Sequence, residues 1–261
     1  MKKFLSILLG LSLILSLTAC GKQENQSVEL TVFAAASMQE TLTEIGENYQ
    51  KEHQNVTLTF NFDSSGTLQS QIQEGAVCDL LISAGQKQMN ALEQDGLLAE
   101  NSRFDLLENK VALAVPEGNP AGIESYEDWK NALEAGTILF AMGNSDVPVG
   151  QYTQKILAYY GLDEAALAAS GNITYASNVK EVTTQVSESA VDCGIIYATD
   201  AFSAGLTVVD TATPEMCGQV IYPAAVLSGS EHLTEAEAFA EYLRTPESAA
   251  VLEYVGFTPL G

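Results

Sequence analysis

Val28-Glu29-Leu30-Thr31-Val32-Phe33-Ala34-Ala35-Ala36-Ser37 is the stretch on which the fold turns. Val28 to Ala34 is of strand length and mostly apolar, and it reads as a buried strand. Ala34-Ala35-Ala36-Ser37 follows as a link of small residues. Beyond it, Met38, Leu42, Ile45 and Tyr49 recur at helical spacing, so one face of a helix is apolar. Ser37 reads as the N-cap of that helix, with a hydroxyl able to serve a backbone N–H or a ligand.

The same alternation continues along the chain. Val56, Leu58, Phe60 and Phe62 alternate with polar residues and predict a strand with one face inward. Thr67 to Glu74 predicts a short helix ended by Gly75, Leu80-Leu81-Ile82 a buried strand, and Met89 with Leu92 a helix closed by Gly96. Val111 to Val115 predicts a strand stopped by Pro116. Later strands are predicted at Ile138 to Met142, Gly194 to Tyr197, Val208-Val209 and Val220 to Leu227. Helices are predicted over Ser125 to Leu133, Gly150 to Tyr160 and Val179 to Val186, with two more at the end, the last opened by Thr245-Pro246 as N-cap and first-turn proline. Strand alternating with helix argues an α/β protein with mostly parallel sheets. Ligands in such folds sit beyond the carboxyl ends of strands, at helix N-termini.

The first 20 residues read as a targeting segment. Lys2 and Lys3 precede an apolar run, Phe4 to Leu17, too short to cross a membrane comfortably. Leu17-Thr18-Ala19-Cys20 resembles the bacterial lipobox, which implies acylation of Cys20 and a lipid anchor. Residues 21–27 are polar and read as a tether.

Among 261 residues, 34 are Asp or Glu and 11 are Lys or Arg, for a formal charge of -23. A surface this acidic argues against nucleic acid and anionic lipid head groups as partners. Cys78, Cys193 and Cys217 remain after Cys20, an odd number without CxxC spacing, and His53 and His232 are isolated. That argues against a zinc site and leaves two readings of the thiols: one disulfide plus a free thiol, or three buried small hydrophobes.

Two strand-to-helix links are built for close approach. Ala34-Ala35-Ala36-Ser37 is one, and Asp63-Ser64-Ser65-Gly66-Thr67 is the other. Helix starts carry unpaired N–H groups and positive potential, which suits an anion. The competing reading is two capped helices with nothing bound.

Val32-Phe33-Ala34-Ala35-Ala36-Ser37, Phe62-Asp63-Ser64-Ser65-Gly66-Thr67-Leu68 and Asp79-Leu80-Leu81-Ile82-Ser83-Ala84 resemble the periplasmic molybdate-binding proteins of ABC transporters. Val147-Pro148-Val149-Gly150, Ile195 to Ala201, Tyr222 to Val226 and Tyr254 to Phe257 continue the resemblance in order. It implies a two-lobe periplasmic-binding-protein-like fold, each lobe a mostly parallel sheet flanked by helices, joined by a two-crossing hinge. Lobe 1 is then residues 28–109 plus 222–261, and lobe 2 residues 110–221. The resemblance places oxyanion contacts on Ser37 and Ser65 in lobe 1 and on Val149, Val179 and Tyr197 in lobe 2. Serines give hydroxyl and backbone N–H, valines backbone N–H alone, and Tyr197 its phenol. It implies a monomeric, extracytoplasmic, lipid-anchored protein that takes molybdate or tungstate to a membrane permease, with no catalysis, no cofactor and no metal cation held directly.

The sequence departs from that pattern at three places. Val149 stands where alanine is common and narrows the pocket. Asp63 puts a carboxylate beside the expected dianion, and Gly66 stands where small or hydroxyl residues are usual. Lys180, next to Val179, reads as a solvated side chain. Rival expectations are sulfate, phosphate or a metal complex on the same scaffold, a hydrolase using Ser37 or Ser65, and a lipoprotein receptor or adhesin without a small ligand. The hydrolase lacks both a G-x-S-x-G turn and a histidine near those serines in sequence.

Overall fold

The computed structural model describes residues 27–260. Cys20 and the targeting segment therefore lie outside the described residues. Among the described residues, eleven strands and eleven α-helices follow one another in two sheet-centred units.

The first sheet has the order β11-β4-β10-β3-β1-β2. Its strands are β1 (Val28–Ala35), β2 (Val56–Asp63), β3 (Leu80–Ile82), β4 (Phe104–Asn109), β10 (Val220–Val226) and β11 (Thr258–Pro259). Helices α1 (Gln39–Glu52), α2 (Ser65–Gln73), α3 (Gln86–Gln94), α10 (Leu233–Tyr242) and α11 (Pro246–Val255) belong to this unit. The predicted face of α1 is inward: Leu42, Ile45 and Tyr49 are buried.

The second sheet has the order β7-β6-β8-β5-β9. It comprises β5 (Val111–Val115), β6 (Phe140–Gly143), β7 (Ile173–Ala176), β8 (Cys193–Tyr197) and β9 (Thr207–Thr211). With it go α4 (Tyr126–Glu134), α5 (Pro148–Tyr159), α6 (Glu164–Ala169), α7 (Val179–Ser187), α8 (Ala198–Ala204) and α9 (Pro214–Cys217). The chain passes from the first sheet to the second at Lys110, between β4 and β5, and returns between β9 and β10, which pairs with β4 from Val220 onward.

Both sheets are mixed rather than mostly parallel. β1 pairs in parallel with β2 and β3, and β6 with β7 and β8. β10 runs antiparallel to β3 and β4, and β5 antiparallel to β8 and β9. The strand that enters each unit at a crossing, β5 in the second and β10 in the first, runs against those wound by helices inside it.

Register brings the loops together. Ala35 is the partner of Asp63 and Ala34 of Ile82, so β1, β2 and β3 end at one edge. Ala224 of β10 opposes Ile82 antiparallel, which carries Tyr222 past the end of β3 to that same edge. In the second sheet, Val111 opposes Tyr197 and Ala141 opposes Gly194, so the starts of β5 and the ends of β6 and β8 share an edge beside the crossing.

The three cysteines of the described chain are free and buried, which selects the reading of small hydrophobes. Burial pushes the Cys78 thiol up to about 12 and raises the Cys193 thiol as well. Among the described residues, no helix is long and apolar enough to cross a membrane.

Candidate functional site

Helix starts from both units converge on one small cavity. It is lined by Ala35, Ala36, Ser37, Asp63, Ser64, Ser65 and Ala84 from the first unit, and by Val147, Pro148, Val149, Val179 and Tyr197 from the second. All five residues expected at the site, Ser37, Ser65, Val149, Val179 and Tyr197, thus line one cavity. The cavity volume is about 10 Å³, against roughly 300–1,000 Å³ for ordinary organic ligands. That is about the room needed for the centre of one water-sized sphere. Only a ligand of a few atoms, its outer atoms in hydrogen-bonding contact with the wall, fits such a space.

Each wall presents donors. In α2 the N-cap is Ser64, whose Oγ accepts from the Thr67 N–H. Ser65 is therefore free of capping duty. Its Oγ instead accepts the Ala84 N–H at 2.9 Å, which leaves its own proton to donate. Ser37 lies in a short 3-10 turn, Ala36–Met38, ahead of α1, and makes no side-chain cap. The expected N-cap role is thus not realised: the hydroxyl meets the Tyr222 phenol at 2.9 Å.

The second wall is supplied by backbone. Val149 follows Pro148 in the first turn of α5, and Gln151 is the residue whose N–H reaches back to the Val147 carbonyl. Val179 opens α7 behind the Asn178 cap, whose side chain accepts from the Glu181 N–H. First-turn N–H groups have no partner within their own helix. Tyr197, at the end of β8, is fully buried, and its hydroxyl has no hydrogen-bond partner among the described residues. Burial pushes that phenol well above its ordinary range, with the neighbouring Tyr222 and Tyr152 adding to the effect. It stays a neutral O–H, a donor in search of an acceptor. An orphaned buried hydroxyl costs about 1–3 kcal/mol unless something fills the gap.

Asp63 also faces the cavity, but its Oδ1 accepts the Ser64 N–H at 2.6 Å. One carboxylate oxygen is thereby held within its own loop. Gly66 has a physical reason to be glycine: a Cβ there would lie 2.2 Å from the Asp146 carbonyl oxygen of the other unit. Lys180 is not simply solvated. Its Nζ lies 2.7 Å from Glu40 Oε2 and 3.3 Å from Oδ1 of the buried Asp200.

Two residues of the site's support escaped the sequence reading. Tyr222 touches Ser37, and Asn109 Nδ2 donates to the Tyr222 oxygen at 3.2 Å and to Thr199 Oγ1 at 3.0 Å. Tyr222 falls within a stretch that carried the family resemblance, yet nothing local tells that its phenol reaches a residue 185 positions away. Among the described residues, no group of three or more His, Cys, Asp and Glu is placed to hold a metal ion.

Two mixed-sheet units meeting over a donor-lined cavity at helix starts define a two-lobed, ligand-capturing protein. The chain belongs to the family of bacterial extracellular solute-binding proteins, whose model matches residues 30–258. A Bacillus subtilis relative, named as a candidate ABC transporter substrate-binding lipoprotein, is 33% identical over 98% of each chain. The molybdate-binding protein of Escherichia coli is 31% identical, again over 98% of each. Among solved structures, the substrate-binding domain of a candidate molybdenum ABC transporter from Clostridium difficile is 31% identical, with a TM-score of 0.65 over 90% of this chain and 100% of that one.

Proposed function

We propose that this protein captures molybdate, and tungstate equally by size and charge, and delivers it to the permease of an ABC importer. The observation that carries the reading is the convergence of Ser37, Ser65, Val149, Val179 and Tyr197 on one compact cavity. The cavity wall holds no basic side chain. Charge-assisted hydrogen bonds are roughly twice as strong as neutral ones, so preorganised neutral donors can replace a hydration shell. The protein's acidity acts mainly on encounter, because it is screened beyond about 8 Å at physiological salt.

Donors also select, with Asp63 Oδ1, the acceptor nearest to them, taken by the Ser64 N–H. Phosphate near neutral pH largely carries a proton and needs an acceptor; molybdate is a bare dianion. Leaving that proton unpaired costs roughly 1–3 kcal/mol. Sulfate is bare as well, so its rejection rests on pocket size. The two sheet units act as lobes that close about the crossings at Lys110 and before Val220. The mature protein works as a monomer outside the cytoplasmic membrane, held by lipid on Cys20. No step of this role requires catalysis.

Calorimetric titration with molybdate, tungstate, sulfate and phosphate tests the ligand. Tight binding of molybdate and tungstate, with the other two at least about a hundredfold weaker, is expected. Sulfate binding alone overturns the ligand. Replacing Cys20 with serine is expected to release the protein from membranes, and retention on them refutes the anchor.

A further inference from the structure

We propose that Asn109 and Tyr222 are positioning residues that force the Ser37 hydroxyl to donate into the cavity, and that they thereby set its preference for unprotonated oxyanions. The proposal rests on the oxyanion reading above.

The direction of the chain of bonds starts from a group with no choice. The backbone N–H of Lys110 can only donate, and it lies 2.8 Å from Asn109 Oδ1. That contact fixes which end of the amide is oxygen. Nδ2 then faces the other way and donates to the Tyr222 oxygen at 3.2 Å and to Thr199 Oγ1 at 3.0 Å. With its oxygen accepting from Asn109, the phenol directs its own proton to Ser37 Oγ, 2.9 Å away. Ser37 Oγ accepts that proton and turns its own toward the cavity it lines. All three side chains are buried, so solvent does not compete for the order.

A serine hydroxyl is otherwise ambivalent: it rotates to donate or to accept. Left free, Ser37 would accept the proton of hydrogen phosphate as readily as it donates to a bare dianion. Ser65 is fixed by a shorter route, because its Oγ accepts a backbone N–H, that of Ala84. Both serines are thus donors by separate means, Ser65 through one bond and Ser37 through three. The longer route begins at the crossing itself. Asn109 ends β4, and its second proton goes to Thr199 in the other unit.

The test is a double-mutant cycle read by calorimetry, with sodium molybdate and sodium phosphate as probes, on wild type, Ser37→Ala, Tyr222→Phe and the double variant. Tyr222→Phe is expected to weaken molybdate by about ten- to a hundredfold. It is also expected to shrink the ratio of molybdate to phosphate affinity at least tenfold, roughly one charge-assisted bond's worth. The double variant is expected to bind within about twofold of Ser37→Ala alone, because Tyr222 acts through Ser37. Additive losses, or an unchanged affinity ratio in Tyr222→Phe, overturn the proposal. Failure of wild type to bind any oxyanion removes the oxyanion reading and this proposal with it. Normal wild-type binding with additive losses removes this proposal alone. Should Tyr222→Phe lack a cooperative melt, Asn109→Asp enters the same cycle. It keeps the side-chain size but cannot donate from the Nδ2 position, so the same non-additive pattern is expected, and wild-type affinity in that variant overturns the proposal.

Discussion

Lys180 and Glu40 join the two sheet units: the ammonium lies 2.7 Å from Glu40 Oε2 and 2.9 Å from Oε1. Glu40 belongs to the first turn of α1, beside Ser37, and Lys180 follows Val179 in α7. The pair therefore spans the gap at the cavity. Glu40 is more than half exposed, so water and salt screen it, and an exposed pair of this kind contributes at most about 1 kcal/mol.

Glu40→Gln is accordingly expected to weaken molybdate binding by no more than about fivefold. The loss is expected to vanish in 1 M salt, where screening operates over about 3 Å. Titrations at low and high salt check this. A loss of a hundredfold, or one independent of salt, would mean that the pair is a principal clamp and not an accessory to closure.

Gly66 meets the other unit more directly. The Asp146 carbonyl oxygen occupies the place a side chain would take, 2.2 Å from the position of a Cβ. Gly66→Ala therefore acts as a wedge between the units while leaving α2 with a residue that favours helix. Affinity is expected to fall at least about tenfold, since the competent closed state becomes a minor population. The ligand-free melting temperature is expected to hold or rise. Small-angle scattering of the variant with saturating molybdate should lack the compaction expected of wild type. Equal compaction in both would show that the loop yields to the extra methyl.

The alternation of strand and helix, with the Thr245 cap, was legible in the sequence because local spacing encodes it. The loops at Ser37 and Ser65 were legible as anion-ready links for the same reason. What stayed hidden depends on register or on backbone. Val149 and Val179 offer N–H groups, which every non-proline residue has, so their side chains carry no signal. Tyr222, Asn109 and the Glu40–Lys180 pair are brought together by sheet order across more than a hundred residues. Short strands also escaped notice: β4 and β7 have mixed burial along their length and no clean period. The mixed character of the sheets follows from the chain's crossings, which composition does not report.

Tyr197 holds a buried hydroxyl without a partner among the described residues. Tyr197→Phe removes a group that costs the unliganded protein stability and serves the bound ion. The variant is expected to bind molybdate about ten- to a hundredfold more weakly, the value of a hydrogen bond to a charged group. Its ligand-free melting temperature is expected to be equal to or above that of wild type. Ser37→Ala is expected to lose similar affinity. Calorimetry and thermal melts on the two variants give both quantities, and unchanged affinity in both refutes the assigned cavity.

Asp200 offers a different handle, because its carboxylate is buried beneath Lys180. Burial raises it from 3.8 to about 6; Lys180 pulls it down, and Glu40 pushes it up. Since the folded value lies above the unfolded one, the folded protein binds the extra proton. Its contribution to stability is fully present below about pH 4 and is lost as pH rises through about 6. Across that window the loss amounts to about 3 kcal/mol, at 1.36 kcal/mol per pH unit. Asp200→Asn lacks the titration. Its melting temperature relative to wild type is therefore expected to climb by several degrees between pH 4 and pH 6 and to level off above. Comparing the two proteins at each pH cancels the carboxylates they share. A difference that stays flat from pH 4 to pH 8, or that falls with rising pH, would mean that Lys180 holds Asp200 ionised throughout and that the buried pair neutralises itself.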